Sequence, residues 1–315
     1  MTDFSKNASH GVRIVEIDAE RAEQRIDNFL LTFLKGVPKS MVYRLLRTGQ
    51  VRVNKGRVKP PYRLQEGDLV RIPPLRQAEQ GVAVEPGQGT LERIKQSIIF
   101  EDAGLIAINK PSGIAVHGGS GVSFGVIEAL RKLMPECRSL ELVHRLDRDT
   151  SGCLLITKKR SALRQLHEAL RQGQVKKFYL ALCKGKWRGG SRIIDAPLRK
   201  NVVSSGERVV RVSADGKEAS SRFTPLQRFK LATLMEVELF TGRTHQIRVH
   251  AAHSGHPLAG DDKYGDKEFN RVMRDYGLKR LFLHAQRLKF QWQGSELELN
   301  APLDDALNAV LTRLD

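Results

Sequence analysis

The sequence predicts an α+β protein in two parts: a small module of two helices and a short sheet, then a larger domain. Three observations carry this. Apolar residues recur at helical spacing over Ala22–Lys35, and a second helical run extends from Pro38 to Gly49. Beyond Leu91, strand-like and helical runs alternate without the regular βαβ repetition of a doubly wound fold. Between them, residues 77–90 hold Gly81, Pro86, Gly87 and Gly89 with little periodicity, as a linker would.

The expected organisation is therefore an N-terminal extension (1–20), a first domain (21–76), a linker (77–90) and a second domain (91–315). A length of 315 residues suits two domains. In the first, Ile26, Phe29, Leu30, Phe33 and Leu34 form one apolar stripe that Gly36 closes. Pro38 fits the opening of the second helix, whose apolar face is Met41, Val42, Leu45 and Leu46. The period then changes to two. Val51-Arg52-Val53 alternates, Asn54-Lys55-Gly56 turns, Arg57-Val58-Lys59 resumes, and Gly67-Asp68 turns into Leu69–Ile72.

In the second domain, strands are expected at Ile98–Phe100, Leu105–Ile108, Leu154–Thr157, Tyr179–Cys183 and Leu234–Phe240. Helices are expected at Val126–Leu133 and Ser161–Arg171. Leu234–Phe240 alternates cleanly, with Met235, Val237 and Leu239 on one face and Glu236 and Glu238 on the other.

Composition narrows the function. No apolar run is long enough to span a bilayer, and polar Met1–His10 gives no reason to expect a secretory signal. Cys137, Cys153 and Cys183 lie far apart without CxxC pairing, so neither a disulfide framework nor a zinc cluster is expected, and a reducing cytoplasm suits them. The net charge is +18, and the pI is about 10.1. That excess calls for an anionic partner, with nucleic acid the leading class. Residues 21–76 hold thirteen Lys or Arg against four Asp or Glu. Arg44 and Arg47, with Arg52, Lys55, Arg57 and Lys59 just beyond, are spaced to meet phosphates.

Four constellations can carry chemistry. The densest is Leu142–Gly152, where Asp147 lies between Arg145 and Arg148 and is followed closely by Asp149. Neighbouring cations favour an ionised carboxylate able to serve as nucleophile or base, and on these grounds Asp147 and Asp149 are equal candidates. The second is Phe240–His250. There Thr244 is placed to cap a helix running to Gly255, and Arg243 sits at the strand-to-helix corner, where an anion is readily held. His245, His250, His253 and His256 invite a metal reading, but HExxH and Cys pairs are missing and basic neighbours oppose a cation; hydrogen bonding or packing is the expected role. The third is Tyr179, opening a strand at a possible cleft. The fourth is Asn109–Gly113 followed by His117–Gly121, a glycine-rich loop matching neither a P-loop nor a dinucleotide fingerprint.

Arg25-Ile26-Asp27, Ser40, Gly49–Asn54, Val58-Lys59 and Gly67-Asp68 resemble the S4-like RNA-binding domain. Asn109–Gly113, His144–Gly152, Lys177–Leu182 and Gly242–His250, in that order, resemble the RluA-type pseudouridine synthases. That resemblance spans Ile98–Leu299. It implies a catalytic domain on a mixed, mostly antiparallel sheet with flanking helices. It further implies that a flipped uridine loses its N-glycosidic bond and is rejoined through C5, with no cofactor and no metal. It assigns Asp147 as nucleophile, leaving open attack on C1′ or assistance to base departure. Arg243 is implied to pair with that carboxylate, and Tyr179 to stack on the base and relay a proton. Arg145 is implied to fill the gap left by the flipped base. His245, Arg44, Arg47, Arg52, Lys55 and Lys59 are expected RNA contacts. The implied partner is 23S rRNA or a large-subunit assembly intermediate, met by a cytoplasmic monomer without membrane attachment.

Overall fold

This computed structural model describes residues 11–19, 21–34, 36–75, 86–119, 124–137, 139–202 and 208–315. The chain forms two compact units, Met1–Val84 and Glu85–Asp315.

The first unit contains β1 (Arg13–Glu16), α1 (Ile26–Phe33), α2 (Lys39–Arg47), β2 (Arg52–Val53) and β3 (Leu69–Ile72). The α1 stripe buries Ile26, Phe29 and Leu30 against Val42, Leu45 and Leu46 of α2. Burying Asp27 in α1 is tolerable because its carboxylate accepts two bonds from Arg25 (2.7 and 3.1 Å) and one from the Tyr43 hydroxyl (3.2 Å). Arg44 and Arg47 stay exposed in the last turn of α2, where cations also suit the helix dipole.

The sheet order is β1-β3-β2, antiparallel throughout. Arg13–Glu16, assigned from sequence to an extension, is thus a strand of this sheet. Conversely, Arg57–Lys59 is not a strand. Pro60 and Pro61 follow it, and the Pro60 and Tyr62 carbonyls accept from the Asp27 and Ile26 amides, so this segment serves the start of α1.

The second unit opens with α3 (Gln88–Gln96), which begins inside the expected linker; residues 76–85 lie outside the described residues. There follow β4 (Ile98–Glu101), β5 (Leu105–Lys110), α4 (Val126–Leu133), β6 (Glu141–Leu142), β7 (Ser151–Thr157), α5 (Arg160–Arg171), β8 (Lys176–Lys184) and β9 (Arg192–Asp195). Next come β10 (Leu198–Val202), β11 (Arg208–Val212), β12 (Ser220–Arg228), β13 (Ala232–Leu239), α6 (Gln246–His253), α7 (Lys267–Asp275), β14 (Leu283–Trp292), β15 (Ser295–Asn300) and α8 (Asp305–Leu314).

Among the described residues, one ten-stranded sheet runs β4-β5-β7-β14-β8-β13-β12-β9, with β15 on β14 and β6 on β7. Every pairing in it is antiparallel except β7 with β14. The mixed, mostly antiparallel sheet expected from the resemblance is therefore present. Strand parity sends side chains to opposite faces. Leu154, Ile156, Ala181, Met235 and Val237 pack with α4 and α6 residues, whereas Cys153 and Leu155 meet Ala162 and Leu166 of α5. Leu180, Leu182 and Leu234 meet Phe269 and Met273 of α7 and Leu307 of α8.

The one parallel junction positions the site. Gly152 (φ +110°) pairs with Ala285 so closely that a Cβ would overlap the Ala285 backbone. The loop carrying Asp147 enters β7 immediately before it, while Tyr179 of β8 is in register with Ala285 of β14 and Val237 of β13.

Candidate active site

The Asp147 loop is fixed from below. Lys110, fully buried, donates from Nζ to the carbonyls of Pro111 (2.9 Å), Ile114 (2.8 Å) and Arg148 (3.0 Å). Burial lowers its pKa to about 7, against the upward pull of Asp149 and Asp147. The Ser112 hydroxyl donates to the Asp149 carbonyl (2.8 Å), and the Gly113 amide to that of Arg148 (2.9 Å). Thus the Asn109–Gly113 motif is a strap across the Asp147 loop. Of the accompanying glycine-rich segment, Ser120 and Gly121 lie outside the described residues.

Above the strap, the two carboxylates separate. Asp149 is held by its neighbour Arg148 at 3.0 Å, with both side chains about half exposed. Asp147 lies at the meeting point of two cavities. One is an open cleft of about 1170 Å³ lined by Arg145, Arg148, His245, Arg248, Arg274 and Arg280, among others. The other is a recess of about 100 Å³ bounded by Tyr179, Leu146, Leu239, Ile247 and Leu283. Tyr179 is 8% exposed; burial, then the Asp147 charge, raises its pKa, so the phenol keeps its proton.

The cation nearest Asp147 corrects an expectation. Arg248 Nη1 lies 3.7 Å from the carboxylate and His245 Nε2 lies 3.8 Å away. Arg243, expected to make this pair, is exposed and donates from Nε to the Glu218 carbonyl (2.9 Å). The reason is the turn between β13 and α6. Gln246, nearly fully buried, accepts from the Arg243 amide (2.9 Å) and Thr241 hydroxyl (2.8 Å), and donates to Ser220 and Ser221. This rotates Arg243 outward and leaves Arg248, on α6, facing Asp147. The α6 N-cap is His245 in the left-handed region (φ 54°), not Thr244 as expected.

Arg248 is itself anchored. Nε and Nη2 each donate to the Asp261 carboxylate at 2.7 Å, and the guanidinium lies over the Tyr264 ring at 5.1 Å. Despite burial, Asp261 is held below the ordinary carboxylate range by Arg248 and by the amides of Tyr264 and Lys263. The Tyr264 hydroxyl accepts from the Val210 amide (3.0 Å) and meets His245 Nδ1 (2.8 Å). When the phenol donates to Nδ1, the ring carries its proton on Nε2, on the side of Asp147. Burial lowers the His245 pKa, opposed by Asp147.

The remaining histidines of this segment that form hydrogen bonds are His250, to Ser221 and the Ala196 carbonyl, and His256, to the Lys184 carbonyl. Among the described residues no group of three or more His, Cys, Asp or Glu is placed to hold a metal. Arg145 is exposed and lines both cavities. In the first unit Arg44, Arg47, Arg52, Lys55 and Lys59 are exposed, and none makes an ion pair with a carboxylate among the described residues. Sequence reasoning missed Arg248, Asp261 and Tyr264 and did not give Lys110 its role, although Lys110 and Arg248 lie inside segments it singled out.

Residues 104–253 match the family model described as RNA pseudouridylate synthase, and residues 24–70 match the S4 domain. The chain is 55% identical over 312 residues to ribosomal large subunit pseudouridine synthase C of Pasteurella multocida, covering 98% of this chain and 96% of that protein. It is also 55% identical over 314 residues to the protein of that name from Escherichia coli strain K12, covering 98% of each. Among solved structures, human RNA pseudouridylate synthase domain containing 4 superposes with a TM-score of 0.59 at 27% identity, covering 71% of this chain and 95% of that one.

Proposed function

Because the chain belongs to the RluA-type family of RNA pseudouridine synthases, we propose that it isomerises selected uridines of 23S rRNA, with Asp147 as the nucleophilic carboxylate. Support for this substrate comes from relatives named for the large ribosomal subunit that match over nearly their whole length. The observation that carries the catalytic assignment is the position of Asp147, where the open cleft meets the recess containing Tyr179, with Arg248 Nη1 3.7 Å away.

The arrangement suits the reaction. A uridine inside a stacked helix hides its glycosidic bond, so the nucleotide must leave the stack. Arg145, exposed at the mouth, fills the vacated space. The uracil enters the apolar recess above Tyr179, bringing C1′ to Asp147. The C1′–N1 bond breaks and a C1′–C5 bond forms; N1 gains a proton and C5 loses one, so nothing is consumed. Arg248 and the His245 ring face the Asp147 carboxylate and aim it at C1′. Tyr179, a phenol that keeps its proton, supports the base and relays the proton leaving C5. The basic first unit grips the folded RNA through Arg44, Arg47, Arg52, Lys55 and Lys59.

The test is tritium release from 23S rRNA labelled at uridine C5, wild type beside Asp147→Ala. Release by the wild type alone supports the reading. Equal release by both removes Asp147 from the chemistry, and release only from tRNA makes the substrate wrong.

A further inference from the structure

A third cavity lies beside the base recess. It measures about 380 Å³, and its walls are Leu198, Arg199, Lys200, Val210, Asp215–Lys217 and Gly242–Thr244. It shares Gly242, Arg243 and Thr244 with the recess that holds Tyr179 and Asp147, so these residues form a common wall. The reaction described above uses none of its cations.

Those cations are available. Among the described residues, Lys200, Lys217 and Arg243 have no carboxylate partner, and Arg199 has only an exposed pairing with Asp215 at 3.8 Å. The bond from Arg243 Nε to the Glu218 carbonyl fixes the guanidinium plane and leaves both Nη groups uncommitted. The base of the β10–β11 hairpin is equally fixed. The Leu198 and Lys217 amides each donate to the other residue's carbonyl (2.8 and 2.9 Å), and a Cβ on Gly216 would lie 2.6 Å from the Leu198 nitrogen. Only glycine allows that approach, and the neighbouring Lys217 lines the groove together with Arg243.

We propose that this groove seats a backbone phosphate of the nucleotide adjoining the isomerised uridine. The inference rests on the reading of the chain as an RNA pseudouridine synthase. Among the described residues no aromatic side chain lines the groove, so they offer no surface on which a base would stack, whereas guanidinium and ammonium groups are what a phosphodiester requires. The wall it shares with the recess puts that phosphate beside the flipped nucleotide. Arg243 therefore acts in binding and Arg248 on the nucleophile, although both belong to the same short segment.

The test uses full-length Arg243→Gln and Arg243→Gln/Lys217→Gln proteins. Binding to 23S rRNA is read by filter retention between about 50 and 200 mM KCl, beside the single-turnover rate at saturating protein. The Kd should rise roughly fivefold to tenfold. The log–log salt dependence should flatten by roughly 0.7–0.9 for each phosphate no longer neutralised. The saturating rate should stay within about twofold of wild type.

An RNA fragment with one neutral methylphosphonate beside a mapped target uridine supplies a double-mutant cycle. It should weaken wild-type binding by a similar factor and leave Arg243→Gln unaffected. Unchanged Kd and salt slope would overturn the proposal, as would methylphosphonate and Arg243→Gln losses that simply add. A saturating rate that collapses at constant Kd would overturn it too, returning Arg243 to the nucleophile. If the wild type isomerises no RNA, the underlying reading fails, while filter retention still decides whether the groove binds phosphate.

Discussion

The Arg248 guanidinium is held by Asp261 through two 2.7 Å hydrogen bonds, on the side away from the carboxylate it presents itself to. Asp147, at 3.7 Å, takes the remaining Nη. Asp261 is fully enclosed and Arg248 nearly so, so the pair behaves as one rigid part.

Replacing Arg248 with Lys keeps the charge but cannot reproduce the two-pronged bond to Asp261. Single-turnover isomerisation should fall by about a hundredfold or more, with RNA affinity little changed. Asp261→Asn should slow the reaction comparably and destabilise the protein by about 3 kcal/mol, because it leaves a buried guanidinium underpaired. Urea denaturation measures the second effect. Wild-type rates in Arg248→Lys would remove Arg248 from the reaction.

Tyr264→Phe deletes the hydroxyl between Val210 and His245 and nothing else in van der Waals outline. The imidazole should lose its single tautomer, visible in the ¹⁵N shifts of His245. The saturating rate should fall by about tenfold, with Kd retained. An unchanged spectrum together with an unchanged rate would show that the tautomer has no bearing on Asp147.

Lys110→Met leaves three carbonyls beneath the catalytic loop without a donor, each costing about 1–3 kcal/mol if it stays dry. Stability and turnover should both drop. A variant as stable as wild type but slow would mean that water replaces the amine and only the loop geometry suffers.

Stability should fall on mild acidification. Burial lowers the pKa of His144 to about 4 and also lowers that of His284, while both titrate near 6.5 when unfolded. Between those values the unfolded chain binds protons that the folded chain refuses, so stabilisation present above pH 6.5 is lost toward pH 4. Urea midpoints measured from pH 7 to pH 4.5 should decline, and His144→Phe should flatten the decline. A pH-independent midpoint would contradict the burial of both rings.

Much of this architecture was legible in the sequence because local pattern and tertiary environment agree. The alternation in β13 buries Met235 and Val237, and Val126–Leu133 carries its apolar face onto the sheet. By residue chemistry alone Asp147 was one of two carboxylates and only the resemblance chose it, because solvent exposure of the Asp149–Arg148 pair is a tertiary fact. The assignment of Arg243 in place of Arg248 has a similar cause. Two arginines in one segment differ only in which side of a turn they leave, and the turn is decided by Gln246 and by a left-handed His245. Asp261, distant in sequence, carried no local signal. Strand β1 escaped notice because Ile14 and Val15 form too short a run to stand out.

The close approach of Gly152 to Ala285 gives Asp147 a datum point. Two strands with no room between their backbones cannot slide or part, so the span from Gly152 back to Asp147 acts as a gauge of constant length. Under the proposed reaction, the rim of the cleft can therefore change without disturbing the height at which the Asp147 carboxylate stands.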